Sequence, residues 1–233
     1  MQVLAHNMAN VDTPGFKRTL AVLQARHTEA IEQGSDYPGS RSINDIGGGV
    51  KVAETTTEFS RGAVKHTGIP TDMLIEGDGF FVVADGQRSY LTRAGNFSMT
   101  HDGYLVTPNG MQVLAEDGGP VQVDTSLPWR LDETGALVQP GGSRIPVAVV
   151  KPQSHGDLVS RGRNLFEPLA ETIPISSEQR RVVSGYLEHA NVRPAAEMME
   201  LIEASRAFEA NVRLIQNQDQ MMGTLISRVL RVQ

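Results

Sequence analysis

The chain has 233 residues, of which 39% are hydrophobic and 21% charged, so it can bury a packed core and wholesale disorder is excluded. Its net charge of −6, with no lysine/arginine cluster, argues against a nucleic-acid grip, which needs a basic face. The lack of cysteine rules out disulfides, thiolate zinc sites and cysteine nucleophiles.

The first residues, MQVLAHNMANVD, have neither a basic n-region nor an unbroken apolar stretch, so they do not form a secretory signal. No apolar run reaches the length of a membrane span, and no direct membrane insertion is expected. Residues 2–10 read as a helix with Val3, Leu4, Met8 and Val11 on one side. Asp12-Thr13-Pro14-Gly15 ends it, and Phe16 follows as an anchor. A second, weaker helical period covers 19–30, and 33–49 is loop by composition.

From Val50 the pattern changes to short strands between glycine turns. Strands are predicted at 50–53, 73–75, 80–84, 89–92, 97–99, 104–106, 112–114, 121–123, 129–131, 136–138 and 147–150. Asp85-Gly86, Asp102-Gly103 and Asn109-Gly110 are hairpin signals, which makes the body antiparallel. The β pattern fades after Phe166, and a polar stretch at 176–190 leads to a helix start at 191–194.

Residues 195–232 read as one long helix without proline. Leu201, Ala204, Phe208, Asn211, Ile215, Gln218, Met222, Leu225 and Val229 alternate steps of three and four, the spacing of a coiled-coil seam. Ile202, Leu214, Met221 and Val232 widen the apolar face beyond what one partner helix covers. Such a helix is ~57 Å long, whereas a compact chain of this size is roughly 45 Å across. Its apolar face therefore calls for cover from outside the chain. Asn211 and Gln218 either fix the register of the seam or are merely tolerated in it. The methionines at 198, 199, 221 and 222 fit a helix-bundle core more simply than a promiscuous binding surface.

Nothing announces catalysis. The six histidines have no HxxxH or HExxH spacing, the Asp-Gly turns do not form a calcium loop, and Gly47-Gly48-Gly49 lacks the Lys-Ser/Thr of a phosphate loop. No catalytic residue, metal ligand or cofactor is assigned, and the chain is read as a non-enzyme.

Two segments nevertheless resemble a known family. VLAHNMANVDTPGFKR is similar to the N-terminal motif of flagellar rod and hook proteins, matched by Asn7, Asn10, Thr13, Gly15, Phe16 and Lys17. The segment from Ser184 to Met222 resembles that family's C-terminal signature at Gly185, Glu188, Asn191, Val192, Glu197, Met198, Ile202, Arg206, Phe208, Glu209, Asp219 and Met222. The glycine-rich middle resembles its β body, and 114–120 looks most like the proximal rod branch, then the distal.

The resemblance implies an α+β fold: N- and C-terminal helices forming a coiled-coil/bundle layer, with a central antiparallel β domain inserted between them. The expected divisions are 1–32 (N-terminal helical segment), 33–60 (loop and connecting strands), 61–184 (central β domain) and 185–233 (C-terminal long helix). The family has a long helix upstream of the Asn-x-x-Asn motif, so a misassigned start codon or a fragment would explain where Met1 falls. The implied function is that of a structural subunit of the flagellar basal-body rod, a helical shaft that transmits torque. Sister subunits, other rod and hook proteins and the flagellar type III export apparatus are its implied partners, and the periplasm-spanning rod its location. The expected assembly interface is Asn7, Asn10, Thr13, Pro14, Gly15, Phe16, Met198, Leu201, Ile202, Phe208, Asn211, Ile215, Gln218, Met222, Leu225 and Val229. The alternative is a soluble ligand-binding β module dimerised by its C-terminal helix.

Overall fold

A computed structural model describes residues 1–42, 48–86 and 88–230, with side chains to Ser227. The chain divides into two compact units, one of Met1–Ala9 with Val192–Gln233 and the other of Asn10–Asn191.

The 10–191 unit is antiparallel β structure. Its main sheet runs in the order Leu158–Gly162, Leu165–Pro168, Arg88–Thr92, Phe80–Asp85, Gln112–Val113, Leu105–Val106, Ser98–Met99. Val149–Lys151 joins this sheet beside Phe80–Asp85 and carries Ile173–Pro174 on its other side. The central strand explains the uninterrupted apolar run FFVVA. Phe81 and Val83 face the main core with Leu105, Val113, Val121, Leu137, Val147 and Val149. Their neighbours Phe80 and Val82 face a second cluster with Leu91, Phe166 and Phe59. A strand buried on both faces needs no polar alternation.

Smaller sheets complete the unit. Arg130–Leu131, Ala136–Val138 and Arg144–Pro146 form a three-stranded meander. Arg181–Ser184 pairs with Met73–Glu76, and Tyr186–Glu188 pairs with Val64–His66. Residues near the end of the chain thus close a body that begins more than a hundred positions earlier. Val121 and Val123 are buried on a bridged segment rather than a regular strand, held by bonds to the Val113 and Gly103 carbonyls.

The expected architecture needs correction. The chain is mostly β with a single long helix, Pro194–Leu230, and no coiled-coil or bundle layer is present among the described residues. The N-terminal helical material amounts to the eight-residue Gln2–Ala9 and the four-residue Glu29–Glu32. The helix expected over 19–30 is instead a strand, Thr19–Ala25, paired with Val50–Thr57. Its helical period was weak, and a β-rich partner in the later strand overrode it. The resulting ribbon exposes Leu23, Val50 and Val52. The β pattern also persists past Phe166 into the stretch read as polar, where Arg181–Ser184 and Tyr186–Glu188 are strands. Part of the expected 33–49 loop, and Val232, lie outside the described residues.

In the other unit, Gln2–Ala9 packs against the long helix. Asn7 Nδ2 donates to Glu197 Oε2 at 3.3 Å, with both residues buried. Pro194 opens the long helix, where the missing N–H is no loss and the fixed φ suits the first turn.

Candidate functional site

The two family-like motifs meet inside the 10–191 unit. The turn at residues 12–15 brings Gly15 against strand Tyr186–Glu188, and the Gly15 N–H donates to the Glu188 carbonyl at 2.7 Å. Gly15 has φ +67°, and a Cβ there would lie 2.5 Å from Ala94 N and Arg93 C. Only glycine satisfies both the left-handed backbone and that close approach. Asn191 fastens the same segment. Its N–H donates to the Phe16 carbonyl at 3.2 Å, its Oδ1 accepts from the Arg18 N–H at 2.6 Å, and its Nδ2 donates to the Glu58 carbonyl at 2.9 Å. Read from sequence as part of a helix start signal, Asn191 is a clamp between distant segments.

Beneath this junction lies a buried charge cluster. The Glu188 carboxylate accepts from Lys17 Nζ at 2.7 Å, from the Gly62 N–H at 3.0 Å and from Arg93 Nε at 2.6 Å. The Lys17, Glu188 and Arg93 side chains are 2%, 3% and 5% exposed. Lys17 also donates to the Ser60 carbonyl at 2.8 Å. Arg93 also donates to the carbonyls of Ile75 at 3.0 Å, Gly77 at 2.6 Å, and Gly79. No buried side-chain polar atom is left without a partner among the described residues.

One carboxylate facing two cations sets the electrostatics. Burial alone would raise the Glu188 carboxyl, but Arg93, the Gly62 N–H and Lys17 outweigh it and hold the group below its ordinary 4.5. Burial pushes Lys17 below 10.5. Glu188 pushes back, while Arg93 and Arg61 add to the lowering. Lys17 therefore receives only part of the compensation that a private partner would give.

The expected interface residues fall into two groups. In the first, Asn7, Gly15 and Phe16 are buried, and Asn10, Thr13 and Pro14 are half-buried. Thr13 Oγ1 donates to Asn10 Oδ1 at 3.3 Å, and the Pro14 carbonyl accepts from Asn164 at 2.8 Å. The second group lies along helix Pro194–Leu230. Met198, Ile202, Phe208, Ile215, Met222 and Leu225 are exposed, Phe208 by 61% and Met222 by 62%. Asn211 and Gln218 are exposed and Leu201 is half-buried. The side chain of Val229 lies outside the described residues. Met199 and Met221 are exposed as well, so these methionines do not form a bundle core within the chain.

Sequence reasoning missed two buried arginines. Arg93 sits in the family-like YLTRAGNF stretch, where it was not singled out. Arg180 donates from Nη1 to Glu116 Oε1 at 2.5 Å and to the Val147 carbonyl at 2.8 Å, and from Nε to the Thr134 carbonyl. It ties the three-stranded meander to the start of strand Arg181–Ser184. The one available signal was an arginine flanking a short β-branched run.

Comparison with known proteins finds two family matches. Residues 74–173 match the flagellar hook protein FlgE/F/G D1 domain, and residues 183–228 match the flagellar basal body rod FlgEFG protein C-terminal region. Flagellar basal-body rod protein FlgF of Caulobacter vibrioides is 30% identical over 235 residues, covering 100% of this chain and 92% of the relative. Flagellar basal-body rod protein FlgG of Borreliella burgdorferi is 32% identical over 248 residues, covering 96% of this chain and 90% of the relative. Flagellar hook protein FlgE of Treponema pallidum is 37% identical over 153 residues, covering 62% of this chain and 32% of the relative.

Proposed function

The chain belongs to the flagellar basal-body rod protein family, and from that premise we propose that this structural rod subunit joins its neighbours through the apolar face of helix Pro194–Leu230. The observation that carries this reading is the row of exposed Met198, Ile202, Phe208, Ile215, Met222 and Leu225 along one helix. An apolar surface of that extent marks an interaction site in a soluble chain. Sister subunits and other flagellar axial proteins are its partners. Head-to-tail contacts that do not close into a ring generate a helical shaft, and a shaft transmits torque.

Of the expected interface, the helix residues act by direct contact, with Leu201 at the margin and Asn211 and Gln218 as the polar positions that fix register. Asn7, Asn10, Thr13, Pro14, Gly15 and Phe16 contribute by shaping the surface from within. The role is mechanical rather than catalytic. The buried charges Lys17, Arg93, Arg180 and Glu188 are engaged in internal hydrogen bonds that support packing. Delivery by the flagellar type III export apparatus to a periplasm-spanning rod completes the reading. The ligand-binding alternative is not favoured, because the relatives that match over nearly the whole chain are rod proteins.

Gly141 and Gly142 have open space around them, so an epitope inserted between them leaves the core untouched. Purified basal bodies from cells carrying that insertion are expected to show the label on the rod. Label confined to soluble fractions, with motility intact after deletion of the gene, overturns the proposal.

A further inference from the structure

The charge cluster in the 10–191 unit carries a consequence that does not depend on the rod reading. Among the described residues, Gly15 N–H donates to the Glu188 carbonyl and Asn191 N–H to the Phe16 carbonyl, joining the segment at 10–18 to the end of the unit. The Glu188 side chain adds a bond to Lys17, and Asn191 and Asn164 add side-chain bonds to Arg18 and to the Pro14 carbonyl. Loss of the carboxylate charge leaves the Lys17 ammonium and the Arg93 guanidinium buried beside each other with no anion between them. Burial weakens the solvent screening between them, so the two cations repel more strongly than they would in water. Arg93 is anchored by three further carbonyls, whereas Lys17 has one, from Ser60. The Lys17 side is therefore the one that gives way.

We propose that Glu188 is a proton-operated clamp: ionised, it holds the segment 10–18 against strand Tyr186–Glu188, and protonated, it lets that segment go while the main sheet stays formed. The core of the main sheet, around Phe81, Val83, Leu105 and Val113, includes none of the clamp residues. Other titratable groups surround the cluster. Arg61, Glu76 and Tyr186 share a cleft of about 520 Å³ with Glu188 and Arg93. Asp78 and His155 line a smaller space with Lys17 and Arg93, and Asp78 lies 3.8 Å from Arg61. His189 follows Glu188 in the chain. The pH at which release occurs separates the carboxyl from the histidines, which titrate near pH 6.5 as free side chains.

Amide hydrogen exchange on the full chain across a pH series tests the clamp, with protection factors corrected for intrinsic rates. The amides of Gly15, Gly62 and Asn191 are expected to lose protection by about tenfold or more in a step below pH 4.5, while those of Phe80–Asp85 remain protected. Glu188→Gln is expected to leave the three amides exposed at neutral pH and to abolish the step. Should that variant not fold, Lys17→Met supplies the second arm. Without the Lys17 ammonium, protonation of Glu188 leaves no second buried cation to repel Arg93, so the step is expected to shrink at least severalfold while Gly15 and Asn191 stay protected. The proposal is overturned if the three amides open only together with Phe80–Asp85, if the step lies near pH 6, or if Lys17→Met shows the step at full size.

Discussion

Lys17 and Glu188 are 171 positions apart in sequence, and Lys17 Nζ meets Glu188 Oε1 at 2.7 Å with both side chains buried. Each belongs to a different family-like motif, one from either end of the chain. Their contact brings the two motifs together in one junction of the β body.

The two partners are not equivalent. Glu188→Gln leaves two buried cations facing a neutral amide, and breaking a buried pair in this way costs about 3–5 kcal/mol. Lys17→Met leaves Arg93, the Gly62 N–H and Glu188 together and keeps an apolar stem in the same space, so it costs roughly 1–2 kcal/mol. Urea unfolding of the two variants checks the asymmetry. Equal losses would show that Lys17 and Glu188 act as a private pair.

Gly15 and Gly110 separate strain from collision. Both have positive φ, +67° and +81°. A Cβ at Gly110 meets nothing within 4 Å, whereas one at Gly15 runs into the backbone of Arg93 and Ala94. Gly110→Ala therefore costs about 1 kcal/mol from backbone strain alone. Gly15→Ala costs at least about 3 kcal/mol, because backbone must move as well. Thermal or urea denaturation of both variants distinguishes these terms.

Stability at the pH extremes follows from the same cluster. The folded-state value of Glu188 is depressed, so its contribution is present above the unfolded value and is lost as pH falls through the folded one. Lys17 is also lowered, but for a lysine this means that the protonated form weakens the fold at neutral pH. That cost is relieved as pH rises through the lowered value towards 10.5. Lys17→Met is expected to flatten the alkaline gain in stability, and Glu188→Gln the acid loss. Unfolding free energies measured across pH check both limbs.

The Asn7 to Glu197 contact predicts a local effect. Asn7→Asp places a second carboxyl where an amide now donates at 3.3 Å to a buried carboxylate. Helix Gln2–Ala9 is expected to lose amide protection, while Phe80–Asp85 keeps it. Hydrogen exchange reads both elements in one experiment. Unchanged protection in Gln2–Ala9 would show that the Asn7 amide is not what holds that helix.

The long helix and most of the central strands were legible because their signals are local. A periodic apolar stripe, interrupted by Asn211 and Gln218, marks the helix Pro194–Leu230, and Asp-Gly or Asn-Gly turns bracket Phe80–Asp85 and its neighbours. The errors lie where structure depends on distant partners. Thr19–Ala25 is a strand because Val50–Thr57 pairs with it, and Tyr186–Glu188 is one because Val64–His66 does. The helical layer failed for a related reason: residues 19–30 had a modest helical period, but the pairing partner decided their state. Of the expected interface, periodicity picked out the apolar helix positions, most of which are exposed in the structure. The roles of Lys17, Glu188 and Asn191 were not, since motif membership says that a position matters without saying what it touches. Arg93 stood within the family-like middle, but nothing there marked it as a buried charge.

The most direct test of the account is incorporation of Phe208→Asp into basal bodies. Phe208 is exposed, so the substitution is expected to change the stability of the purified chain by no more than about 0.5 kcal/mol. Tagged wild-type and variant chains would be expressed at equal levels, and their amounts in purified basal bodies compared. The account predicts that the wild type is incorporated and that the variant, though folded, is absent from the rod. Equal incorporation of the two would contradict assembly through the helix face.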